Sequence, residues 1–84
     1  MQKEEIFKTL ISHCCEILPE LENHTFVTTD QLRELGANSI DRAEIVTMML
    51  ESLSLKIPRV ELSGAQNLGE LVDILHDKKL QCKG

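Results

Sequence analysis

The stretch Gly36-Ala37-Asn38-Ser39-Ile40-Asp41-Arg42-Ala43-Glu44-Ile45-Val46 opens the most informative segment of this 84-residue chain. Gly36 ends the turn before it, because glycine accepts the left-handed backbone that closes a helical turn. Asn38 or Ser39 then offers a side-chain oxygen to a backbone N–H of the next helix. From Ser39 to about Leu53 the pattern is helical. At about 100° per residue, Ile45, Val46, Met49, Leu50 and Leu53 gather on one side. Ile40, Asp41, Glu44, Thr47, Met48 and Glu51 fall on the other. That second arc mixes carboxylates with exposed apolar groups, as a contact surface does. A solvated face with one or two incidental hydrophobics has the same pattern. Arg42 projects toward the apolar side near the helix start and snorkels outward.

Upstream lies a long connection, residues 19–38, with little periodicity. Within it Thr29-Asp30 is placed to cap a brief turn over Gln31 to Leu35 that Gly36 stops. Leu21, Phe26, Leu32 and Leu35 pin this connection to the core. A loop this long in a small domain is unusual and often functional. Before it, Ile6, Phe7, Leu10, Ile11, Cys14, Ile17 and Leu18 line one face of a helix over Glu4 to Leu18, ended by Pro19. Downstream, Ser54 to Pro58 reads as a loop, and Glu61 to Ala65 as a brief third helix weakened by Ser63-Gly64. Asn67, with Glu70 three residues later, opens a last helix carrying Leu68, Leu71, Val72 and Leu75 at i, i+3, i+4, i+7. Lys78 and Lys79 suit its negative end. Residues 1–3 and 81–84 read as frayed. The fold class is all-α.

The composition excludes whole classes of function. Eighty-four residues fit a single domain, 1–84. Fourteen acidic against 9 basic side chains leave a net charge of −5. Phosphate-backbone binding needs a basic stripe, and single-stranded nucleic acid needs aromatic platforms. This chain has only Phe7 and Phe26. No nucleic-acid partner is expected, and acidity suits basic patches on other proteins. No leader and no span of roughly 20 apolar residues is visible, so no membrane partner is expected either. Three cysteines, Cys14, Cys15 and Cys82, are an odd number, which argues against a disulfide framework and for the reducing cytoplasm.

Chemistry intrinsic to the chain finds little support. His13-Cys14-Cys15 is the one dense cluster of ligand types, but adjacent helical residues point about 100° apart and cannot converge on one tetrahedral ion. No metal site is expected. Three scattered histidines give no local signature of an activated nucleophile. Asp41 and Glu44 lie on an exposed face, and no Gly-rich phosphate loop is present. The chain reads as a non-enzyme. Ser39 is the exception to this blandness: an exposed helix start presents a hydroxyl where free N–H groups and the helix dipole favour anions. A phosphodiester attached there is well accommodated.

Gly36-Ala37-Asn38-Ser39-Ile40-Asp41, followed by an acidic helix, resembles the attachment motif of the acyl carrier proteins, a glycine, one residue, then Asp-Ser-Leu. The resemblance runs over nearly the whole chain: helix, long loop, motif, second helix, Ile57-Pro58, weak third helix, final helix. It implies a four-helix acyl-carrier bundle with a long first loop and a short third helix. It also implies 4′-phosphopantetheine, transferred from coenzyme A to Ser39 by a phosphopantetheinyl transferase. One position departs. Asn38 replaces the aspartate thought to help the transferase and its metal recognise the carrier. Asparagine keeps the capping ability and loses the charge, so modification by a tolerant transferase is expected.

Two further runs, Asn38 to Val46 and Leu53 to Ala65, look unlike fatty-acid carriers. They resemble the discrete donor carriers of β-branching cassettes in polyketide synthesis, of the bacillaene type. That resemblance implies a monomeric carrier that is loaded with malonyl by an acyltransferase. A decarboxylase converts the malonyl to acetyl, and an enzyme resembling hydroxymethylglutaryl-CoA (HMG-CoA) synthase receives it. Ile40, Asp41, Glu44, Thr47, Met48 and Glu51 are then the partner face. A carrier of another acyl or aminoacyl cargo and an unmodified helical interaction adaptor are the other readings.

Overall fold

A computed structural model describes residues 2–81. Three α-helices carry it: α1, Lys3–Ile17; α2, Ser39–Ser52; and α3, Leu68–Gln81. Two 3-10 turns, Pro19–Leu21 and Arg59–Leu62, punctuate the connections, and no strand occurs among the described residues. Lys3 and Gln81, read from sequence as parts of frayed ends, are the terminal helical residues of α1 and α3. The rest of the tail, including Cys82, lies outside the described residues.

The helices exist because each buries one stripe. Ile6, Leu10 and Cys14 of α1 are fully buried, as are Ile45 and Met49 of α2 and Leu75 of α3. With Leu50, Leu53, Leu55, Leu62, Leu68, Leu71 and Val72 they form one core cluster. Burying a Leu, Ile or Met side chain of this size contributes about 1.5–3 kcal/mol before conformational entropy is charged against it. The backbone of α1 packs against both α2 and α3, while α2 and α3 meet through the 3-10 turn Arg59–Leu62.

The expected brief helix over Glu61 to Ala65 is not formed. In its place the 3-10 turn starts two residues earlier and ends at Leu62. Pro58, at φ −66° and ψ 144°, sets the entry, and Leu62 is the one residue of the turn that is buried. A segment with a single apolar anchor gains too little from burial to extend a helix past Ser63-Gly64.

The long connection is tied down as its apolar residues suggest. Leu21 is buried, and Phe26, Leu32 and Leu35 pack against the core. Asp30 behaves differently from its sequence reading. Its carboxylate turns back to accept the Val27 N–H at 2.9 Å and to meet His24 Nε2 at 3.0 Å, rather than capping the next turn. Its carbonyl accepts the Leu68 N–H at 2.9 Å, and Thr28 O accepts that of Gly69 at 2.9 Å. The connection thus satisfies the first donors of α3. Gly69 is required there: a Cβ at that position would stand 2.9 Å from Thr28 Cβ.

Candidate functional site

The start of α2 is built by local rules. The Leu35 N–H reaches the Gln31 carbonyl at 3.0 Å, the Gly36 N–H reaches Arg33 O at 3.2 Å, and the Ala37 N–H reaches Leu32 O at 3.0 Å. Gly36 has φ +104°, the left-handed region that glycine enters freely. Ala37 is buried beside Leu18 and Leu21, which fixes where the chain emerges. Asn38 then takes an extended conformation, and its Oδ1 accepts the Asp41 N–H at 2.8 Å. Asp41 Oδ2 accepts the Asn38 N–H in return at 3.4 Å. Of the two capping candidates, Asn38 is the cap.

Ser39 is consequently relieved of structural duty. It is the first residue of α2 and exposed. Its Oγ has one side-chain hydrogen bond, from Arg42, whose Nη2 donates at 3.4 Å. The first-turn N–H groups of a helix have no intrahelical acceptor. Asp41 and Arg42 donate to Asn38, at 2.8 Å to Oδ1 and 2.9 Å to the carbonyl. Those of Ser39 and Ile40 remain for solvent or an anion. An exposed hydroxyl, two free donors, a positive helix end and a neighbouring guanidinium are the chemistry that a phosphodiester on this oxygen requires. The residues present fit such a group.

An open groove of about 530 Å³ runs from Ser39 along α2. Two i, i+4 rows line it, Ser39-Ala43-Thr47 and Ile40-Glu44-Met48, with Arg59 facing them from the second 3-10 turn. Ile40, at its mouth, is 70% exposed. Four of the six residues read as a partner face thus converge beside Ser39: Ile40, Glu44, Thr47 and Met48. Asp41 is engaged with Asn38, and Glu51 lies exposed further along the helix, outside the groove. Sequence reading missed Ala43 and Arg59. The four-residue spacing from Ser39 would have found Ala43. No spacing rule reaches Arg59 across the intervening loop.

Residues 8–75 match the family described as "Phosphopantetheine attachment site". This chain belongs to the acyl carrier proteins. It is a carrier rather than a catalyst, and its prosthetic group is 4′-phosphopantetheine. Over 78 residues it is 63% identical to the "Polyketide biosynthesis acyl-carrier-protein AcpK" of Bacillus subtilis (strain 168), spanning 93% of this chain and 95% of that one. An acyl carrier protein of Cyanidium caldarium is 30% identical over 76 residues, 90% of this chain and 88% of the relative. Among solved structures, the carrier is similar at a TM-score of 0.85 and 50% identity to a chain of the "Crystal Structure of the Curacin Biosynthetic Pathway HMG Synthase in Complex with Acetyl Donor-ACP". The match covers 88% of this carrier and 95% of that chain, which therefore has a carrier's size.

The other sequence candidates lie apart from Ser39. Cys14 is buried in the core, its thiol pushed up to about 12 by burial and by Cys15 beside it. His13 Nε2 meets Ser52 Oγ at 2.6 Å at the far end of α2, with Glu16 Oε2 at 3.6 Å from Nδ1. Among the described residues no three His, Cys, Asp or Glu side chains converge. No described helix is long and apolar enough to cross a membrane.

Proposed function

We propose that Ser39 Oγ bears the 4′-phosphopantetheine arm and that the chain acts as a single carrier domain in polyketide β-branching. In this reading it accepts malonyl from an acyltransferase. A decarboxylase converts this cargo to acetyl, and the carrier delivers the acetyl group to an HMG-CoA-synthase-like enzyme. The observation that carries the reading is the likeness, at TM-score 0.85 and 50% identity, to a chain of a complex between an HMG synthase and an acetyl donor carrier. The 63% identity to a polyketide carrier supports the same pathway.

When bound, the arm supplies a terminal thiol that carries the acyl group as a thioester. The protein's own work is to hold, present and steer. Asn38 fixes the helix start so that Ser39 Oγ stands clear for the phosphopantetheinyl transferase. The N–H groups of Ser39 and Ile40 and the Arg42 guanidinium lie where the phosphodiester charge would fall. Tethering keeps the cargo at an effective concentration on the order of millimolar at each docked enzyme. Ile40 and Met48 give the groove its apolar contact. Asp41, Glu44 and Glu51 steer encounter with basic enzyme surfaces, Thr47 lies between them, and Arg59 adds one cation to the opposite wall. The 3-10 turn Arg59–Leu62 takes the place of the short third helix in a four-helix carrier bundle. In this reading the carrier is a cytoplasmic monomer, and its contacts are weak because it must leave each enzyme after delivery.

The test is intact mass after incubation with a broad-specificity transferase, Mg²⁺ and coenzyme A, beside Ser39→Ala. Wild type gains one phosphopantetheine and the variant gains none. Acetyl-loaded carrier then passes its acetyl to an HMG-CoA-synthase-like enzyme faster than a fatty-acid carrier does. Absence of the mass gain on folded protein would leave the adaptor reading. Equal transfer from both carriers would remove the pathway assignment.

A further inference from the structure

The groove beside Ser39 has one charge of each sign. Among its lining residues Arg59 is the only cation and Glu44 the only anion, and the rest are small or apolar. The fold places both. Glu44 is exposed and lies one turn along α2 from Ile40. Arg59 opens the second 3-10 turn, where Pro58 sets the entry at φ −66° and the buried Leu62 anchors the other end. The Glu61 N–H closes that turn onto the Pro58 carbonyl at 3.1 Å. Arg59 is thus exposed at an anchored place rather than on a free loop.

Neither charge is neutralised within the chain. The ion pairs among the described residues join Lys3 to Asp73, His13 to Glu16, His24 to Asp30 and Lys78 to Glu61, and none of them involves Glu44 or Arg59. The carboxylate closest to Arg59 in sequence is that of Glu61, and Lys78 of α3 holds it at 2.8 Å. A partner that covers the groove takes both free charges out of water. A charge buried without a partner is strongly unfavourable, whereas a guanidinium facing a carboxylate can form two parallel charge-assisted hydrogen bonds. A uniformly basic surface would satisfy Glu44 and repel Arg59. The surface that fits carries a carboxylate opposite Arg59, a basic side chain opposite Glu44 and an apolar group for Ile40 and Met48.

We propose that Arg59 is a specificity-determining residue, which pairs with a carboxylate on the HMG-CoA-synthase-like partner while Glu44 pairs with a cation on the same surface. The groove therefore accepts a partner of mixed charge in one orientation and rejects a uniformly basic one. The proposal rests on that enzyme being the carrier's partner. A net charge of −5 draws basic surfaces to the carrier at long range. The crossed pair decides which of them dock, by repelling the wrong surface as well as by attracting the right one.

The probe is the HMG synthase of the curacin pathway, and the carrier is the full chain loaded with acetyl phosphopantetheine by a broad-specificity transferase, with intact mass confirming each form. The kcat/KM of acetyl transfer is compared for wild type, Arg59→Glu, Glu44→Arg and the double exchange, with melting by circular dichroism as the check on fold. Arg59→Glu makes the carrier more acidic, so steering by net charge alone would speed transfer to a basic surface. Loss of the crossed pair instead slows it by about tenfold or more. The double exchange restores the net charge and reverses the polarity, so it is slower than either single variant. Arg59→Lys, which keeps the charge, loses less than Arg59→Gln, and these two carry the comparison where Arg59→Glu lowers the Tm. An Arg59→Glu carrier at or above the wild-type rate would overturn the proposal, and so would a double exchange at the wild-type rate. Wild type that gains the arm and transfers no acetyl would overturn the partner reading, and this inference with it. Absence of the mass gain would instead overturn the attachment.

Discussion

Alanine at Asn38 and alanine at Ser39, one at a time, separate the fold from the chemistry at the start of α2. Asn38 Oδ1 holds the Asp41 N–H at 2.8 Å, and Asp41 Oδ2 returns a longer bond at 3.4 Å. Removing a capping side chain of this kind costs about 1 kcal/mol, because the helix donor then depends on water alone. In a domain of this size that lowers Tm by about 4–8 °C. Ser39 makes no such contribution. Its hydroxyl meets Arg42 Nη2 at 3.4 Å, both groups in contact with solvent. Alanine has the higher helix propensity by up to about 0.5 kcal/mol, so Ser39→Ala is neutral or slightly stabilising. The assay is urea unfolding of the apo proteins by helical circular dichroism, followed by transferase treatment and intact mass. The expected pattern is crossed: Asn38→Ala is less stable and still modified, whereas Ser39→Ala is as stable as wild type and unmodified. A Ser39→Ala protein that unfolds more readily than Asn38→Ala would refute the division of labour, and a modified Ser39→Ala would move the attachment elsewhere.

Gly69→Ala, elsewhere a stabilising helix substitution, should here destabilise by about 1–3 kcal/mol, because its Cβ would stand 2.9 Å from Thr28 Cβ and 3.2 Å from Thr28 O; equal stability in urea would show that the connection yields. Asp30 has its carboxyl held below the usual aspartate range, first by the Val27 N–H and then by His24. A depressed folded value adds stability that is fully present above the unfolded value of about 4 and lost as pH falls through the folded one. Asp30→Asn should therefore flatten the acid limb of a stability–pH curve, and an unchanged limb would place its cause in other carboxylates. Glu44→Lys should slow association with an HMG-CoA-synthase-like partner and reduce the salt dependence of the on-rate while leaving Tm unchanged, as stopped-flow binding and calorimetry would read it. An unchanged on-rate would take Glu44 off the docking face.

What the chain made legible, and what it did not, follows from the range of the forces involved. The stripes Ile6-Leu10-Cys14, Ile45-Met49-Leu53 and Leu68-Leu71-Val72-Leu75 specify helices by periodicity alone, since each needs only its own neighbours to define a face. Gly36 was legible for the same reason: a turn ending at φ +104° selects for the residue that lacks a Cβ. Which residue capped α2 was not, because Asn38 and Ser39 satisfy the same local rule and only the backbone's extended turn at Asn38 decides. Asp30 was misread because its partners, His24, Val27 and the α3 donor at Leu68, depend on how the connection folds back. The third helix failed because propensity at Glu61 to Ala65 is silent about what is available to bury. Arg59 entered the site through a loop that no periodicity crosses.

The charges around Ser39 acquire their meaning from helical geometry. Residues 40, 44 and 48 line one side of α2, and residue 42 lies about 200° around the helix from both 40 and 44. Ser39, at the helix start, therefore stands between a partly apolar groove that holds Glu44 and Arg59 and a cavity that no carboxylate lines, with Arg33 and Arg42 in its wall.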